Sequence, residues 1–189
     1  LDCPGNQSLL DLTWKYVTIK HKTFDASHDI SHLQRVLKLV KTLGTKVEES
    51  TSQQFHLRDW VVMALAALLH DVEDKKYEGG GDDGYDALGI IDALRVEGGS
   101  VAEVGAHPDF GKLSVGQYFE LLHQASCFGN WGVYPVWADE VPRTKFIIAH
   151  VSWSKEQQMR KDGIDFDAFY RREPCLAIVQ DADRLDAIG

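Results

Sequence analysis

The sequence predicts an all-α fold, a compact helical bundle. Three observations carry that expectation: apolar residues recur at helical spacing in several segments, one segment is apolar on every face, and strand-type alternation is nowhere sustained.

A first helix is expected at about Ser8 to Lys20, with Leu9, Leu12, Tyr16 and Ile19 along one side. A second starts near Ser27, a good N-cap, and runs to Leu43 before Gly44, a residue suited to the position just past a helix end. Its stripe of His32, Val36, Leu39, Val40 and Leu43 puts a histidine at a core-facing position, with His28 one turn earlier on the same side. The third helix, about His56 to Val72, contains the unbroken apolar run from Val61 to Leu69, as expected of the centre of a bundle. A polar break from Glu73 to Gly84, with Gly79, Gly80 and Gly81 in a row, reads as a surface loop; no P-loop lysine follows it. A fourth helix fits Tyr85 to Val96. From Glu97 to Val141 the pattern fades, apart from a helix at Leu113 to Gln124. Helices at Pro142 to Val151, where proline suits the first turn, and from Pro174 onward complete the chain.

At 189 residues the chain is the size of one ordinary domain. Its net charge of −9 argues against broad adhesion to nucleic acid or an anionic membrane, although a local basic pocket can still hold a phosphate. Cys3, Cys127 and Cys175 have neither the number nor the spacing of a zinc ribbon or disulfide framework, so a reducing compartment, the cytoplasm, is expected. The apolar run Val61 to Leu69 is far short of the roughly 20 residues of a membrane span. The chain opens at Leu1 with no signal-type segment and stops at Gly189 within a helical pattern, so trimmed ends are expected.

The chemistry lies in imidazoles and carboxylates on these helices. His70 and Asp71 follow directly on the most apolar helix, where two ionisable groups cost several kcal/mol unless paired or metal-bound. Asp183 shares a helical face with Leu176 and Val179, and Asp181 lies on a neighbouring face. His32, His70, Asp71 and Asp183 therefore offer two nitrogen and two oxygen ligands from three helices, with room for water and a substrate oxygen. Asp183 pairing with Arg184, or a solvated Asp-Ala-Asp-Arg face, is the structural alternative.

Three blocks make a resemblance specific: Ser27-His-Asp-Ile-Ser-His-Leu-Gln-Arg-Val36, Ala66-Ala-Leu-Leu-His-Asp-Val-Glu-Asp-Lys-Lys-Tyr77 and Val179-Gln-Asp-Ala-Asp-Arg-Leu-Asp-Ala-Ile-Gly189. Their order resembles the HD-domain superfamily of metal-dependent phosphohydrolases, in its bacterial nucleotide-phosphohydrolase branch. The resemblance covers about Ser8 to Leu94 and Arg143 to Gly189. It implies one HD-type helical domain over residues 1–189, with about 97–141 as an expanded connection. It implies His32, His70, Asp71 and Asp183 as ligands, Asp183 being preferred to Asp181 because it matches Ala-Asp-Arg-Leu.

The divalent ion is expected to be manganese first, with magnesium, iron, cobalt, zinc or nickel as alternatives. Glu73 and Asp74 would polarise the attacking water, orient a ligand histidine or bind a second cation, and a solvated helix terminus is the plain alternative. His28 would serve the leaving oxygen or support a ligand, and Arg35 and Lys76 would reach phosphate oxygens. Phe128, Trp131, Tyr134 and Trp137 would stack on a nucleobase or pack as a loop, His150 would have core or cap duty, and His21, His56, His107 and His123 read as ordinary surface residues. The implied activity is hydrolysis of a phosphoester or phosphoanhydride bond in a small phosphorylated substrate, a nucleotide. A guanosine tetraphosphate hydrolase and a non-catalytic nucleotide or metal sensor are the alternatives, and a homodimer is compatible with all of them.

Overall fold

The computed structural model describes residues 4–21, 30–72, 104–127 and 139–188. Among them the fold is all-α, as expected: eight α-helices and no strand. They are α1 (Pro4–His21), α2 (Ile30–Ser50), α3 (Leu57–Leu69), α4 (Val115–Cys127), α5 (Glu140–His150), α6 (Trp153–Lys161), α7 (Phe166–Arg172) and α8 (Pro174–Ile188). None is long and apolar enough to cross a membrane. The contacts divide the chain into two compact units, Leu1–Ile30 with Asp71–Val141 and Ser31–His70 with Pro142–Gly189, each assembled from stretches distant in sequence.

In the first unit, Tyr16 of α1 stacks on Tyr118 of α4 with ring centres 4.3 Å apart, and Phe110 meets both rings edge-on. Their hydroxyls are satisfied: Tyr16 donates to the Leu113 carbonyl at 2.7 Å, and Tyr118 shares a 2.8 Å bond with Thr13. A reciprocal cap starts α4, where Ser114 Oγ accepts from Gln117 N and Gln117 Oε1 accepts from Ser114 N. The expected helix at Leu113 to Gln124 thus exists, beginning two residues later and ending three residues later. Val104, Phe110, Leu113, Tyr118 and Phe119 are buried, so this part of the expected connection is core. His21, expected at the surface, is buried here at the end of α1.

The second unit packs Val36 and Val40 of α2, Val62, Met63, Ala66 and Ala67 of α3, Ile147 of α5, and Leu176, Val179 and Ala182 of α8. Every residue from Val61 to Leu69 is buried, as the apolar run requires. The second helix does not stop at Gly44 but runs one and a half turns further. Gly44 is buried under the Trp60 ring, where a Cβ would lie 2.5 Å from Cη2. The glycine permits close helix packing there rather than ending the helix. At the start of α3, Asp59 accepts from His56 N at 2.8 Å, and its other oxygen takes Arg143 of α5, which also clamps Glu173.

Two helices have no counterpart in the sequence reading, α6 and α7. Both have side-chain caps: Ser152 accepts from Lys155 N and Asp165 from Ala168 N. Their apolar pattern is thin because the most buried position of α6 is a charge. Glu156 is 1% exposed and accepts from Arg160 and from Arg184 of α8. Gly163, with φ of +76°, makes the turn between them.

Candidate metal centre

Periodicity brings His32 to the core side of α2, on the same face as Val36 and Val40, with 14% of its side chain exposed. His70 caps the C-terminus of α3: its N–H bonds the Ala66 carbonyl, and its side chain is 4% exposed. On α8, Asp183 lies one turn beyond the buried Val179, itself 25% exposed. All three belong to the second unit.

Among the described residues, these three form a group of metal-ligating type. His32 Nε2, His70 Nε2 and Asp183 Oδ1 lie 3.4 Å from one another along every edge. The atoms on the far sides of the rings define the protonation. His32 Nδ1 is 2.8 Å from Asp186 Oδ2 and His70 Nδ1 is 3.0 Å from the Ala67 carbonyl; both partners are acceptors, so both Nδ1 atoms are donors. In their neutral form the rings therefore aim two Nε2 lone pairs at each other and at a carboxylate oxygen. Three acceptors facing inward in that form are a donor set that could hold a cation.

The dimensions test that fit. With bonds of about 2.1 Å, as zinc makes to imidazole and carboxylate, the 3.4 Å edges subtend about 108° at the centre. That is the spacing of three corners of a tetrahedron, and among the described residues no fourth side chain joins the group. An octahedral corner at the same bond length needs edges of about 3.0 Å. The site also lies at the C-terminal end of α3, where the helix dipole favours positive charge. Burial works against the charge on Asp183, but when the two imidazoles are protonated their Nε2–H groups bond to it, outweigh burial and hold the carboxyl well below the usual range.

The structure thus brings together three of the four expected ligands. Asp71, the fourth, is half-buried immediately after His70 and is the first residue of the other unit; it is not one of the three. Asp181 stands away from the group, 61% exposed and 3.9 Å from Arg184. Arg184 pairs with Glu156, so the alternative of an Asp183–Arg184 pair is not the arrangement found. Arg35, expected on substrate phosphate, is instead bound to Asp186: Nε to Oδ1 at 2.6 Å and Nη2 to Oδ2 at 2.9 Å, with Nη1 on Ser31 Oγ. A forked guanidinium matches a nearby carboxylate better than open solvent does.

His150 bonds the Phe146 carbonyl and stacks on its ring, as expected of a capping role. His107 accepts from Asp109 N within its turn. His28, Glu73, Asp74, Lys76 and the aromatic group from Phe128 to Trp137 lie outside the described residues, as do the expected helix at Tyr85 to Val96 and the polar break after Glu73.

Asp186 has no role in the sequence reading, yet it is the partner of both His32 and Arg35. A signal was present: His32 and Arg35 are three apart on one helix, Asp183 and Asp186 three apart on another. In comparisons with protein-family models, curated proteins and solved structures, nothing matches this chain.

Proposed function

We propose that the protein is a metal-dependent phosphohydrolase acting on a small phosphorylated substrate, a nucleotide. The observation that supports this best is the 3.4 Å triangle of two imidazole nitrogens and one carboxylate oxygen. Three protein ligands with water or substrate in a fourth position is the pattern of catalytic sites, whereas structural sites carry four protein ligands. His32, His70 and Asp183 would hold the ion, and Asp71, next to His70 in the sequence, is the proposed fourth ligand. The chemistry such an ion supplies when bound is Lewis acidity toward a phosphoryl oxygen and a lowered water pKa. The protein's part is then to fix the donors and compensate charge. Glu73, Asp74 and His28 are the proposed proton-handling residues, and Lys76 the proposed phosphate contact. Of the ions considered, the spacing favours those at ease with four ligands, zinc and cobalt, over manganese.

The test is a panel of nucleoside mono-, di- and triphosphates, assayed on chelator-stripped protein with manganese, magnesium, cobalt or zinc restored. Release of phosphate or pyrophosphate identifies the bond. Turnover in at least one combination is expected, and its loss in His70→Ala and Asp71→Ala. A flat panel, or an Asp71→Ala variant with full turnover, overturns the reading.

A further inference from the structure

We propose that Asp186, clamped by Arg35, is the positioning residue that aims the His32 lone pair into the cation site and thereby sets its affinity. The inference rests on the metal reading above and concerns a side chain outside the ligand group.

The two imidazoles are oriented by different means. His70 gives its Nδ1 proton to a main-chain carbonyl, Ala67, at 3.0 Å. His32 gives its proton to a side chain, Asp186, at 2.8 Å. The orientation of His32 is therefore the one that a substitution can change. Asp186 is itself held, with 7% of its side chain exposed and both oxygens engaged by the Arg35 fork. Arg35 is braced in turn by Ser31 one turn back. A clip between two helices needs only the Arg35–Asp186 pair. The third bond, to His32 Nδ1, leaves Nε2 bare and pointing at His70 and Asp183. In the other tautomer the Nε2 hydrogen would point into the space where a cation fits. Partners of this kind alter metal affinity by about 10- to 100-fold in other sites.

Asp186→Asn discriminates, because the amide can present N–H toward Nδ1 and drive the proton to Nε2. The full-length protein, stripped with chelator, is titrated with Co2+ and with Zn2+ by calorimetry, and the visible absorption of Co2+ reports the ligand field. Asp186→Asn is expected to weaken both ions by about 10- to 100-fold and change the Co2+ spectrum. Arg35→Gln, which leaves the carboxylate unbraced, is expected to cost several-fold, and the double variant no more than Asp186→Asn alone. Equal affinity and spectrum in wild type and Asp186→Asn overturn the inference while leaving the metal reading intact. A wild type that binds neither ion overturns both. Should Asp186→Asn fail to fold, Arg35→Gln decides, and wild-type affinity in that variant overturns the proposal.

Discussion

Replacing Asp183 by Asn is expected to make the metal-free protein more stable at pH 8 and less stable at pH 5. When the rings are neutral, their Nδ1 protons are committed to Asp186 and Ala67. Three acceptors then face one another at 3.4 Å. An Asn amide nitrogen in place of Oδ1 carries two hydrogens, one for each Nε2. Two such bonds contribute about 0.5–1.5 kcal/mol each. Water competes at a side chain that is 25% exposed, so about 1–2 kcal/mol is expected in total. For a chain of this size that is about 2–8 °C in Tm.

Once the rings are protonated the sign reverses, because they then donate to the carboxylate. Although burial opposes it, this bonding depresses the Asp183 carboxyl. A depressed carboxyl contributes stability above its unfolded value, about 3.9, and loses it as the pH falls toward the folded one. Above about pH 4, for as long as the rings stay protonated, the wild type therefore has an interaction that Asn lacks. Thermal unfolding in excess chelator at both pH values is the assay. A variant less stable than wild type at pH 8, or a difference of one sign throughout, refutes the reasoning.

Glu156→Gln should cost about 2–3 kcal/mol, less than a fully enclosed pair because Arg160 rehydrates, and should lower the urea midpoint with the slope unchanged. Gly44→Ala places a Cβ 2.5 Å from Trp60 Cη2; overpacking of about 1–3 kcal/mol exceeds the roughly 1 kcal/mol gained in helix propensity. A higher Tm for that variant would show that the ring yields. Cys175 is fully buried, and burial pushes its thiol pKa up against the opposing charge of Arg143. Its contribution to stability holds below the unfolded value, about 8.5, and fades at higher pH. Mass spectrometry should find it unlabelled by iodoacetamide in the native protein at pH 8 and labelled in denaturant; rapid native labelling would contradict the burial.

Helices with a broad apolar face were legible from spacing alone, because burying that face is what stabilises them. The run at α3 and the stripe His32, Val36, Val40 on α2 show this directly. α6 and α7 were not legible. They are held by caps, by the buried Glu156 and by rings such as Phe166 and Phe169, none of which has a period. Gly44 misled for a related reason: a glycine that ends a helix and one that admits an indole look alike in one dimension. Asp183 and His32 could be nominated because they lie on apolar faces. Asp186 was passed over because it lies off the apolar face of its helix, and only the matching three-residue spacings His32/Arg35 and Asp183/Asp186 pointed to it.

The arrangement of α8 explains why ligand and positioning residue need not compete for space. Asp183 and Asp186 are separated by three residues, so both face α2, and His32 receives one carboxylate at each nitrogen. Arg184, about 100° around the helix from Asp183, bonds Glu156 and lies against the Trp153 ring. The same turn of helix is therefore anchored on one side while it presents acceptors on another. That division also predicts how variants separate: changes at Glu156 should lower stability more than cation affinity, and changes at Asp186 should do the reverse.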